Sequence, residues 1–95
     1  LLTGNALLAD RQLDQAVACG RLSLRAHKHH VPTLRLLLTA HAELGQFDEG
    51  RAILNQLRAE APELTVSSYL AIGSAESPMR QRIANAMRQL GLPET

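Results

Sequence analysis

The sequence predicts an all-helical domain built from antiparallel helix pairs, and three observations carry that expectation. β-Branched residues are few and nowhere alternate with polar ones, so no segment has the period of a strand. Glycine and proline punctuate the chain at helix-length intervals, at Pro32, Gly45, Pro62, Pro78 and Gly91. A turn segment, Gln12-Leu13-Asp14-Gln15-Ala16, returns 34 residues later as Gln46-Phe47-Asp48-Glu49-Gly50. A fixed step of that size between amphipathic helices marks stacked helix-pair units.

The elements follow in order. Residues 2–9, with Leu7 and Leu8, read as the end of a helix cut at its start, and Asp10-Arg11-Gln12 reads as a turn. Asp14 is a candidate N-cap for a helix running to about residue 27, with Ala16, Val17, Gly20 and Leu24 on one stripe. Pro32 suits the first turn of the next helix, whose stripe is Leu34, Leu37, Leu38 and His41 and whose stop is Gly45. Asp48 is the corresponding cap for a helix with Ile53, Leu54 and Leu57 inward, ended by Pro62. Thr65 is a candidate cap for a short helix through Leu70, and Gly73 to Glu76 reads as a loop. Ser77-Pro78 opens a last helix with Met79, Ile83, Ala86, Met87 and Leu90 on its apolar face, ended by Gly91 and Pro93.

The bulk properties exclude several classes. The 95 residues make one small domain with ten Lys/Arg against nine Asp/Glu, and no contiguous basic or acidic run stands out. The aromatics are Phe47 and Tyr69 alone, too few for a base-stacking platform, so a nucleic-acid partner is not expected. No apolar run has the length of a membrane span, and no membrane partner is expected. Cys19 is single and is expected as a reduced, buried thiol, which fits a cytoplasmic setting. The chain opens without Met and in mid-pattern, so it reads as a piece of a longer protein.

The unit 31–64 resembles a tetratricopeptide repeat, whose pattern asks for W-x-x-L-G-x-x-Y, then A-x-x-x-F and a closing P. Leu34 takes the Trp position, Leu37 matches, Leu38 replaces Gly and His41 replaces Tyr. Gly50 stands at the Ala position, Leu54 at the Phe position, and Pro62 matches. In the preceding, truncated unit over 1–30, Gly4, Leu7, Ala16 and Gly20 fall on the corresponding positions, without the closing Pro. Small residues at Ala16 and Gly50 allow close helix approach, with Leu13 and Phe47 expected to plug the space beside each turn. The resemblance implies a solenoid fragment in which first helices line a concave groove. That lining would comprise Asn5, Leu8 and Ala9, then Pro32, Arg35, Leu36, Thr39, Ala42 and Glu43. Leu1 and Leu36 stand where a carboxylate-clamp member would carry Lys and Asn, so that clamp is not expected. Leu36 lies off the core stripe and is expected to be exposed.

Residues 65–95 depart from a third repeat. Pro62-Glu63-Leu64-Thr65-Val66-Ser67-Ser68-Tyr69-Leu70, Ser77-Pro78 and Gly91-Leu92-Pro93-Glu94 resemble the ending of bacterial adenylate/guanylate cyclase-like signalling proteins and winged-helix regulators that carry C-terminal repeats. That resemblance implies a regulatory or assembly region. The last helix is expected to cap the array, with Arg80, Arg82 and Arg88 toward water.

Chemistry-bearing patterns are sparse. His27-Lys28-His29-His30 is the one cluster with ligand chemistry, yet no Cys, Asp or Glu completes a set, so a solvated turn is expected and no metal or other cofactor. His41 sits on an apolar stripe, where a hydrogen-bonded core histidine is expected. No phosphate loop, dinucleotide fingerprint or nucleophile–base spacing occurs, so no catalytic residue is assigned. The expected role is protein–protein interaction, with a protein or peptide in the groove. The alternative is a self-association module for attached catalytic or DNA-binding domains.

Overall fold

The computed structural model describes residues 4–71 and 78–95, with side chains from Leu7 onward. Among the described residues there are six helices and no strand. They are α1 (Gly4–Ala9), α2 (Leu13–Ala26), α3 (Val31–Glu43), α4 (Phe47–Glu60), α5 (Val66–Ala71) and α6 (Pro78–Gln89). The expected loop at Gly73 to Glu76 and the Ser77 cap lie outside the described residues.

The 34-residue step is written in the backbone. The ends of α1 and α3, the starts of α2 and α4, and the ends of α2 and α4 all stand 34 residues apart. The residues opening α2 and α4 share one geometry, Gln12 at φ −85°, ψ 70° and Gln46 at φ −90°, ψ 68°. The residues closing those helices match as well, His27 and Ala61 both having φ −136°. These glutamines, not Asp14 and Asp48, occupy the N-cap positions, and neither caps through its side chain. The aspartates lie two residues further in, within the first turn, where a carboxylate favours the helix N-terminus through the dipole.

The turns themselves are Schellman motifs. Gln46 N–H donates to His41 O at 2.8 Å and Gly45 N–H to Ala42 O at 3.1 Å. Gln12 and Arg11 repeat those bonds to Leu7 and Leu8 at 2.9 and 3.1 Å. The motif needs one left-handed residue, which is Gly45 at φ 79° in one unit and Arg11 at φ 58° in the other. The motif also closes α6: Leu92 N–H donates to Met87 O at 2.9 Å, Gly91 N–H to Arg88 O at 3.1 Å, and Gly91 has φ 101°. Helix α6 therefore ends as α1 and α3 do, although Gly91 lies 46 residues beyond Gly45.

Helix α3 is the centre of the domain and packs against α1, α2, α4 and α6. Residues Thr33, Leu34 and Leu36 through Ala42 are all buried, so this helix is covered on every side. Its two flanks feed two cores. Leu36 and Ala40 join Leu7, Leu8 and Ala16 beneath α1 and α2. Leu34, Leu38 and Ala42 join Leu54, Leu57, Val66, Tyr69, Met87, Leu90 and Leu92 beneath α4, α5 and α6. Met79 of α6 packs against the first core while Ala84 and Met87 sit in the second, so α6 spans both.

Two sequence expectations about packing are corrected. Phe47 does not plug the turn: it is 41% exposed. The space over Gly50 is filled by Leu90, whose Cδ2 stands 2.8 Å from where a Cβ on Gly50 would be. Cys19 is free but only half-buried.

The C-terminal motifs meet in space. Thr65 and Ser68 form a reciprocal capping box, with Ser68 N–H donating to Thr65 Oγ1 at 3.1 Å and Thr65 N–H to Ser68 Oγ at 2.9 Å. The next amides, of Val66 and Ser67, donate to the carbonyls of Pro93 and Glu94 at 2.9 Å each. The Glu94 carboxylate is held by Arg88. The end of the chain thus returns to cap α5, and Leu92 is buried beneath it.

Candidate functional site

The groove expected along the first helices is closed by the chain's own tail. Leu8 and Thr39 are buried to 1% and 0% exposure, and Ala42 is buried as well. Thr39 Oγ1 donates to Arg35 O at 2.8 Å, one turn back, so its hydroxyl is already satisfied. Arg35 lies over the Tyr69 ring, 5.6 Å from its centroid, with Arg80 at 4.4 Å from the same ring. Glu43 accepts from Arg82 Nε at 2.9 Å, and Arg82 Nη1 donates to Leu8 O at 3.0 Å. Of the other positions, Ala9 and Pro32 are exposed, and the Asn5 side chain lies outside the described residues.

Leu36 is the clearest reversal. It is 7% exposed and packs with Leu7, Leu8, Ala16 and Ala40. The physical reason is that α3 is flanked on both sides, so a residue off one stripe lies on another. Arg80 and Arg82 likewise do not face water. Arg80 donates to the Tyr69 carbonyl, and Arg82 is the bolt between α6, α3 and α1. Arg88 alone of the three is exposed.

The histidines near the second turn do not converge. His30 Nδ1 shares a 2.8 Å hydrogen bond with Thr33 Oγ1, which lies 3.2 Å from Ser23 Oγ. His29 pairs with Glu60 of α4. The His27 and His30 rings are 6.2 Å apart. Among the described residues, no three His, Cys, Asp or Glu side chains are placed to hold a metal ion. His41 is a core residue, 2% exposed, its Nδ1 2.8 Å from Gln46 Oε1 across the turn.

An open concave surface lies between α2 and α4. It is a cleft of about 620 Å³ lined by Arg21, Leu24, Arg25, Lys28 and His29 on one wall and Gln56, Ala59 and Glu60 on the other, with Leu34 at its floor. The volume is that of a small-ligand or side-chain pocket. The His29–Glu60 pair bridges the walls at 2.5 Å. Sequence inspection for contiguous charge runs passes over this cluster. The signal that finds it is Arg21 and Arg25 one turn apart on α2, with Lys28 just past the end of the helix, so that three cations line one wall.

The fold and the cleft define an all-helical domain of recurring helix pairs with a self-filled inner face and an open outer one. Comparison with protein-family models, with curated proteins and with solved structures gives no match. Among the described residues, no helix is long and apolar enough to cross a membrane.

Proposed function

We propose that this chain is a protein–protein interaction scaffold of the tetratricopeptide kind, acting within a larger signalling or regulatory protein. The recurrence of helix ends and turn geometry at 34 residues supports the repeat reading. The observation that carries the binding role is the open cleft between α2 and α4, apolar at its floor and charged at its rim. A pre-formed concave surface on rigid helices lowers the ordering cost of binding. The partner then docks on the outer face, because α6 fills the inner one.

A photoreactive side chain at Gln56 tests this in cells making the protein, with Asp48 as the control position away from the cleft. One discrete protein adduct at Gln56, absent at Asp48, is the expected result. Equal labelling at both positions, or none at Gln56, counts against it. Self-association of attached domains is the alternative, favoured by Leu22, which is 65% exposed beside the cleft. Sedimentation across micromolar concentrations separates the two, since a partner scaffold stays monomeric.

A further inference from the structure

Helix α2 carries more than one wall of the cleft. A second hollow, of about 480 Å³, is lined by Asp14, Val17, Ala18, Arg21, Leu22 and Arg25. It shares Arg21 and Arg25 with the first. Together the two hollows follow α2 from Asp14 to its end at Ala26, about 18 Å of helix at a rise of about 1.5 Å per residue, and reach Lys28 in the turn beyond. Within α2, positions 14, 17, 18, 21 and 25 fall at helical spacing, the spacing of a seam that a second helix covers, and Lys28 lines the first hollow from the turn beyond. A small ligand fills one hollow; a length of more than three turns suits a helix.

The charge on this seam is one-sided. Arg21, Arg25 and Lys28 have no ion-pair partner among the described residues. Glu60, the carboxylate on the far wall, is already paired with His29. Asp14 stands alone against the three cations, at the opposite end of the seam. Between the charges lie exposed or half-buried apolar side chains: Val17, Ala18, Leu22 and Leu24.

We propose that this seam receives an acidic amphipathic helix of a partner protein, its leucine-like face in the two hollows and its carboxylates against Arg21, Arg25 and Lys28. The proposal rests on the outer face being the docking surface. A second copy of the chain fits the charge poorly, since a parallel two-fold pairing of α2 seams sets Arg21 and Arg25 each against its own counterpart and an antiparallel one centred between them sets Arg21 against Arg25. A phosphate backbone would use the cations but leave Val17, Ala18 and Leu22 without apolar partners.

The test is titration of the ¹⁵N-labelled full chain with three four-turn helical peptides, each with leucine on one face and Glu, Gln or Lys on the other. The Glu peptide is expected to shift amides of residues 17–28 and 56–60, to bind about tenfold tighter than the Gln peptide, and to weaken as salt rises. Paired Arg21→Glu and Arg25→Glu substitutions, at exposed positions that leave the cores untouched, should transfer the preference to the Lys peptide. Equal affinity for Glu and Gln peptides at the cleft overturns the acidic partner while leaving the docking surface standing. Unmoved cleft amides with all three peptides overturn both, and dimerisation mapped to α2 overturns the proposal in favour of self-association.

Discussion

Arg11 holds a backbone conformation that suits glycine. Its φ of 58° is the left-handed geometry supplied by Gly45 at the equivalent turn. An L-residue there costs about 1–2 kcal/mol, partly offset by the greater entropy glycine loses on folding. The Arg11–Glu43 pair at 3.9 Å, with Arg11 74% exposed, returns little. Arg11→Gly should therefore stabilise the domain by about 0.5–1 kcal/mol, read from the denaturant midpoint. Gly20 makes the opposite case. A Cβ there would stand 2.7 and 2.8 Å from Leu37 Cδ2 and Cγ, and Leu37 is fully buried, so the neighbour has nowhere to go. Gly20→Ala should lose about 1–2 kcal/mol net, overpacking outweighing the gain in helix propensity. Leu36→Ala should cost about 2–5 kcal/mol, the range for a buried leucine, where an exposed one would cost under about 0.5 kcal/mol.

At the scale of the element, the helices that the sequence makes plain are those with a periodic stripe and a punctuating residue. Gly45 and Pro62 bound α4, and Pro32 opens α3, because a left-handed turn and a missing amide are local requirements. The Thr65 cap is equally local, and its hydroxyl bonds the Ser68 amide. Thr65→Ala should cost about 1 kcal/mol and loosen α5 first, seen as faster amide exchange at Ser68 and Tyr69. What the sequence hides is pairing between distant elements. Nothing in Arg82 or Glu43 alone announces a bond across 39 residues, so Arg82 reads as a solvent-facing arginine. The same blindness makes Glu43, Thr39 and Leu36 look like groove lining. The outer cleft was legible only in part, through the spacing of Arg21, Arg25 and Lys28, because its far wall comes from α4.

The whole molecule is organised by α6 crossing both cores on the face of α3. With α6 in place, the inner surface is spent on folding, and the α2–α4 cleft is the surface proposed for binding. The joint that locks this arrangement is Arg82 with Glu43, side chains only 19% and 20% exposed, where a charge-assisted pair retains much of its strength. A double-mutant cycle of Arg82→Ala, Glu43→Ala and the pair, by chemical denaturation of the full chain, tests it most directly. A coupling energy of about 1–2 kcal/mol is predicted if α6 is docked on α3. Coupling below about 0.3 kcal/mol, with the two single losses simply adding, would contradict the docking and reopen the inner groove.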